Sequence, residues 1–474
     1  MAPGKAVASA AQCHMAGIVP TREARGYALK ELARRAGVSR EFFARWEIRF
    51  LDDSTRVSFG AGCPGEIHFV HAGGPAADLG SESLPVSRAA WPATPPPSLG
   101  PDLILPGCAS DESPLMPLYS RVTESFVVCR LDVLFSMLFM LSRLEETLSA
   151  VRDDHGRFPS TASLAQRHNF LERPVLDEHG LAFQQILASL IPGWRPAPPQ
   201  ASFKLTHDID EIGIPLDLRS IAGHIAKRGK PSAAARDLLS GVRMAEPTGL
   251  QLVRRLAQIS ASRGLQSAFF WKAGPCGPYD SGYDTGDKRV QRVIEDLWRQ
   301  GSEFGVHPGY DTFGHPERLA EEVGYLRQTL KVESPGGRQH YLRWSPQTWL
   351  DWEACGLLYD SSVGFADAFG FRAGTAFPYR PWSLEQNREL NLIEMPLILM
   401  DCTPVKYMRI AKDEALPRIR TLAQRVAATG GVFTLLWHNA PLLEPAYDGW
   451  YEAILDVFAN WSPAKLPGNV QQLW

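Results

Sequence analysis

The chain has 474 residues, of which 45% are apolar and 21% charged, and a formal net charge of −3. That length allows two or three domains with ordinary globular cores, and so small a charge gives no drive toward nucleic acid or an anionic membrane. The seven cysteines (Cys13, Cys63, Cys108, Cys129, Cys276, Cys355, Cys402) are scattered and odd in number. With no CxxC pair, they argue against a disulfide framework or a zinc knuckle and favour a reducing compartment.

Residues 1–20 carry one lysine and an Ala-rich stretch broken by Gln12 and His14, which is unlike a secretory leader. The most apolar later run, 133–141, is bounded by Asp132 and Arg143. It is far shorter than the roughly 20 residues that span a bilayer. A cytoplasmic location and no transmembrane segment are expected. Residues 21–50 read as a helical hairpin, with Gly37 in the turn and Ser39 capping the second helix. A DNA-binding use would need a basic second helix, and Glu41 and Glu47 offset Arg40 and Arg45, so the hairpin is expected to lead into strands.

Alternation over 45–75 predicts strands, and 76–107 is a Pro-, Gly- and Ser-rich connection. Residues 125–148 predict a largely buried helix, followed by the polar turn Asp153-Asp154-His155-Gly156-Arg157-Phe158, read as a loop-stabilising cluster. Four prolines between 192 and 199 mark a domain boundary.

Beyond residue 200 the pattern turns regular. Strands are predicted at 203–206, 267–271, 303–306, 341–344, 357–359, 392–400 and 432–437. Helices are predicted at 249–262, 287–300, 316–332, 346–354 and 413–429. Repeated βα units of this kind predict an α/β fold with an incomplete parallel barrel. The first strand ends in Thr206-His207-Asp208-Ile209-Asp210. On an extended chain Asp208 and Asp210 share a side, and a bound divalent metal is the simplest offset for close carboxylates. A cap or turn is the plainer use of two Asp. Other polar residues follow later strands: His307-Pro308-Gly309-Tyr310-Asp311, Arg338-Gln339-His340-Tyr341, Asp360-Ser361-Ser362 and Leu436-Trp437-His438. Parallel barrels build chemistry at these tips.

In these motifs and their order, 201–440 resembles the polysaccharide deacetylase (NodB-type, carbohydrate esterase family 4) superfamily. Thr206–Asp210 matches the family's Thr-Phe-Asp-Asp-Gly, and His307–Asp311 its His-x-x-x-His. Residues 338–341 match Arg-Pro-Pro-Tyr, and 436–438 match Leu-x-His. The chain resembles more narrowly a branch found with bacterial surface-polysaccharide (O-antigen) genes, through Leu141-Ser142-Arg143-Leu144-Glu145-Glu146 and Gly370-Phe371-Arg372-Ala373-Gly374-Thr375.

The resemblance implies a (β/α)7-type barrel over 201–474 behind an N-terminal α+β accessory domain over 1–195. It implies a metal-dependent N-deacetylase with a divalent metal, commonly zinc. Asp208 is then the base, Asp210 and His307 metal ligands, His438 the acid and Tyr341 the oxyanion donor through its backbone. Because Ile209 separates the two Asp, their roles stay exchangeable. The family's second His is Asp311 here. His340 is favoured over Asp311 as third ligand, and His315 is read as structural. Arg372 is read as pairing with a catalytic carboxylate or a substrate phosphate, or as a loop salt bridge. Trp271, Trp344, Trp349, Tyr283 and Tyr379 are candidates for sugar stacking. The expected substrate is an N-acetylated sugar, free, nucleotide-linked or lipid-linked, with no nucleic-acid partner. The competing expectation is an inactive carbohydrate-binding relative, motivated by Asp311. No sequence feature sets the oligomeric state.

Overall fold

The computed structural model describes residues 20–60, 63, 65–71, 84–108, 115–213, 246–274, 278–464, 470 and 473. Cys13, Cys276 and most of the stretch read against a leader lie outside them. Among the described residues, no helix is long and apolar enough to cross a membrane.

The first helix, Arg22–Arg35, starts where the Thr21 hydroxyl accepts from the Ala24 N–H, and Arg34 and Arg35 sit in its last turn, beside the negative end of the helix dipole. Gly37, at φ 76°, breaks the chain away. Ser39 caps a second helix as expected, but that helix runs only Arg40–Phe43. Four residues are too few for a recognition helix. The chain turns at once into β1 (Glu47–Phe50), then β2 (Ser54–Ser58) and β3 (Glu66–Val70). β4 (Val86–Ala89) and β5 (Leu103–Pro106) form a separate antiparallel pair. β6 (Tyr119–Thr123) and β7 (Phe126–Cys129) complete a sheet of order β1-β2-β3-β7-β6. The predicted helix over 125–148 is in fact β7 followed by Val133–Leu141, buried throughout, and Leu144–Leu148.

The second half is built on parallel strands: β8 (Ala201–Ile209), β9 (Ser267–Trp271), β10 (Glu303–Val306), β11 (Tyr359–Asp360), β14 (Ile393–Glu394), β15 (Leu399–Met400) and β16 (Gly431–Leu436). A hairpin of β12 (Trp382–Ser383) and β13 (Arg388–Glu389) lies between, and β17 (Ser462–Pro463) adds to β8. The main sheet runs β10-β9-β8-β16-β15, and β11 pairs with β14. Gly337 bridges β10 to β11 as a single residue. A Cβ at Gly337 would collide with the Val306 carbonyl, so glycine is required at this join. Among the described residues no ladder joins β14 to β15, so the fold is mixed α/β with an unclosed ring of parallel strands.

Two expected strands differ. Residues 341–344 are not extended, because Tyr341 and Leu342 take φ 60° and 55° within a short 3-10 turn. The run 392–400 splits into β14 and β15. Helix Pro346–Ala354 begins and ends where its Ser345 capping box, Pro346 and apolar pattern place it.

Register sets the site. Ile209 pairs with Trp271, and Trp271 with Val306, in one row, while Thr206, Leu436 and Met400 form the row beside it. Asp210, Lys272 and His307 each directly follow a residue of the first row, and His438 lies two residues past Leu436, so all four reach one cleft. Residues on either side of the proline-rich stretch are tied together: Arg35 and the Thr375 hydroxyl both donate to Asp177.

Candidate metal and catalytic site

β8 delivers its side chains as the pleat dictates. His207 points into the core, where its Nδ1 lies 2.8 Å from the Trp437 carbonyl oxygen and burial pushes its imidazole down to about 4. Asp208 and Asp210 face the opposite way, into a cleft made of two adjoining cavities of about 470 Å³ each. Asp210, His438, Cys402 and Lys406 line both.

The two carboxylates share His307, whose Nδ1 lies 3.7 Å from Asp208 Oδ2, but differ in their shortest contacts. Asp208, 2% exposed, accepts from Arg338 Nη1 at 2.8 Å. Arg338 also donates to Thr206 Oγ1, the Ser361 carbonyl and Ser361 Oγ, which fixes its plane. Asp210 keeps 35% of its side chain open. Its Oδ1 lies 3.0 Å from His307 Nε2 and 3.3 Å from His340 Nε2. Burial opposes the charge on Asp210, but His340, His307 and Lys272 outweigh it and hold the carboxyl well below the usual range.

Each imidazole is aimed from behind. His307 Nδ1 lies 2.7 Å from the Arg338 carbonyl oxygen, and His340 Nδ1 lies 2.7 Å from Asp280 Oδ1. Such partners fix the tautomer and turn Nε2 toward the cleft. Asp280 also binds Lys272 Nζ at 2.6 Å and the Tyr310 N–H at 3.0 Å. Burial alone would raise Asp280, yet His340 and Lys272 bring it down to about 2. Lys272 Nζ stands 3.9 Å from Asp210 Oδ1.

A divalent ion fits this donor set. One carboxylate oxygen and two oriented Nε2 atoms lie within 4.8 Å of one another with the cleft beside them, a combination that suits zinc. Asp311 sits on the neighbouring turn Tyr310–Thr312 and does not line the cleft, so the imidazole of His340, not Asp311, stands with Asp210 and His307.

Across the cleft, His438 follows β16. Its Nδ1 is 2.9 Å from Asp401 Oδ1, and its N–H donates to Asp401 Oδ2 at 2.7 Å. Burial would push the His438 imidazole down, but the Asp401 carboxylate raises it well above its ordinary value. His438 Nε2 lies 3.6 Å from Asp210 Oδ2. Tyr341 lines the same cleft, and its left-handed backbone and that of Leu342 each cost about 1–3 kcal/mol of strain.

Arg372 is not brought to these residues. Its Nη2 and Nε donate to Glu146 at 2.6 and 2.9 Å and its Nη1 to the Gly364 carbonyl at 2.8 Å, which spends the guanidinium in a buried pair. Of the aromatic candidates, Trp271, Trp344, Trp349, Tyr283 and Tyr379 are all core residues. Among the described residues, the exposed rings lining the cleft are Tyr279 and Tyr407. His315 occupies the N-cap position of helix Pro316–Leu330 without a side-chain cap, and its Nδ1 lies 3.4 Å from Glu317.

Asp280, Lys272 and Asp401 escaped the sequence reading. Lys272 and Asp401 do follow β9 and β15 directly, so their place at strand tips was the available signal. Asp280 follows no strand and carried none.

A family model described as a family of unknown function, DUF7033, matches residues 84–192. No curated protein matches the chain. Among solved structures, the chain is similar to a candidate polysaccharide deacetylase from Mycobacterium smegmatis, with 19% identity and a TM-score of 0.40, covering 58% of this chain and 90% of that one. It is also similar to a candidate polysaccharide deacetylase involved in O-antigen biosynthesis from Bordetella bronchiseptica, with 14% identity and a TM-score of 0.25, covering 47% and 82%.

Proposed function

We propose that the chain is a metal-dependent hydrolase that removes the N-acetyl group from a sugar during surface-polysaccharide synthesis. One observation carries this reading: Asp210 meets two back-anchored imidazoles, with the Asp208–Arg338 pair on one side and the Asp401–His438 pair on the other.

Asp210, His307 and His340 would hold the metal, and zinc fits the donors best. When bound, such an ion polarises a carbonyl and lowers the pKa of water. Asp208, oriented by Arg338, takes the proton from the attacking water. His438, held protonated by Asp401, gives a proton to the departing sugar nitrogen. The Tyr341 N–H steadies the oxyanion. The C–N bond breaks, water supplies the oxygen, and acetate and a free amine leave. The sugar enters free, nucleotide-linked or lipid-linked. The closest partners of the two Asp support these roles: Asp210 Oδ1 lies before two Nε2 atoms, and Asp208 pairs with Arg338.

The test is elemental analysis of the purified chain beside His307→Ala, followed by acetate release from a panel of N-acetylated sugars. About one divalent ion per chain, lost in the variant, together with released acetate, supports the reading. No retained metal after loading with zinc, cobalt or manganese overturns it. Sugar binding without turnover would then mark a carbohydrate-binding relative.

A further inference from the structure

Arg157 belongs to the turn 153–158, far from the strand tips in sequence, yet it lines the catalytic cleft. The turn itself is the loop-stabilising cluster expected: Asp153 Oδ1 accepts from the His155 and Arg157 N–H groups, and Asp153 Oδ2 from Arg157 Nε at 2.7 Å. That leaves Arg157 Nη1 free to reach across, and it donates to the Tyr341 carbonyl at 3.0 Å.

The target is unusual. Tyr341 and Leu342 are consecutive non-glycine residues in the left-handed region, directly after the metal-facing His340. Such backbone persists only where its surroundings over-determine it. The same turn supplies more of those surroundings. Arg343 Nε donates to the His155 carbonyl at 2.9 Å and its Nη1 to the Tyr310 carbonyl at 2.7 Å. The His155 ring packs 4.6 Å from the Tyr341 ring, and His155 Nδ1 lies 3.1 Å from the Tyr310 hydroxyl.

We propose that Arg157 is a positioning residue of the hydrolytic site, supplied by the N-terminal half: by holding the Tyr341 carbonyl it keeps the peptide groups of the 340–342 turn in their strained, working orientation. The inference rests on the amide-hydrolase reading above. A purely structural Arg157 would cost stability when removed and nothing specific in turnover. A positioning Arg157 acts on kcat, because a small misplacement of a reacting group is expensive.

The full chain, Arg157→Ala and Arg157→Met are compared. Arg157→Met keeps the apolar stem and removes the donors, so it serves where the alanine variant fails to fold. Four quantities are measured: kcat and KM on the N-acetylated sugar that turns over fastest, bound metal, and amide hydrogen exchange of 338–344 by mass spectrometry. The expected result is a kcat loss of about 10- to 100-fold with KM little changed. Metal content should stay at the wild-type level, exchange at 339–343 should quicken, and added guanidinium ion should restore part of kcat. Unchanged exchange at 339–343, or a kcat loss that guanidinium does not rescue and that follows the melting temperature, would overturn the proposal. If the wild type releases no acetate from any sugar, the hydrolase reading fails on its own. Exchange then decides: quickening confined to 339–343 upholds the clamp, and no change rejects it.

Discussion

Two clusters of carboxylate and imidazole face each other across the cleft floor, and they are wired in opposite ways. In Asp210–His307–His340 both imidazoles have Nδ1 engaged from behind, and one carboxylate oxygen lies before both Nε2 atoms. In Asp401–Cys402–His438 the carboxylate is buried and spent: Oδ1 accepts from His438 Nδ1 and the Cys402 N–H, and Oδ2 from the His438 N–H. Similar residue types meet within the same 4.8 Å in both clusters. The lesson is that the partner behind each group, not its identity, separates an open donor set from a proton-holding pair. An available carboxylate invites a cation, while a saturated one charges its imidazole.

Variants can break this contrast. The largest effect expected is at the two histidines. His307→Ala should lose both metal and turnover, whereas His438→Ala should keep the metal and lose about 10²- to 10⁴-fold in kcat. Elemental analysis beside acetate release separates them, and metal loss in His438→Ala would mean the two clusters are one site.

Asp401→Asn comes next. The carboxylate that raises the His438 pKa is removed, so the imidazolium loses its proton at lower pH. The alkaline limb of the kcat profile should move down toward the ordinary imidazole value of about 6.5, and an unmoved limb would remove His438 from the role of acid. Asp280→Ala should act only on the open cluster, weakening metal affinity about 10- to 100-fold through His340. A chelator-competition titration reads this, and unchanged affinity would leave His340 outside the ligand set. The smallest effect is expected for Cys402→Ser. Its backbone N–H still serves Asp401, so metal content should match the wild type, and a loss of metal would make the second cluster a site after all.

What the sequence by itself determined is what local pattern controls. Alternation put Asp208 and Asp210 on one face of β8 and His207 on the other, because a pleated chain has no other choice. Strands 267–271 and 303–306 and helix 346–354 stand where periodicity and caps placed them. The order of polar residues after the strands was legible too.

Tertiary structure decided everything that depends on a partner distant in the chain. His340 stands in the donor set instead of Asp311 because Asp280 and Asp210, remote in sequence, hold its two nitrogens. Arg338 belongs to Asp208, 130 residues earlier, and Arg372 to Glu146, 226 residues earlier. Neither pairing leaves a periodic trace, since a guanidinium finds its carboxylate only after the strands have set their register. The left-handed turn at Tyr341 was hidden for the same reason: its contacts with Arg157 and His155, nearly two hundred residues earlier, exist only in the folded chain.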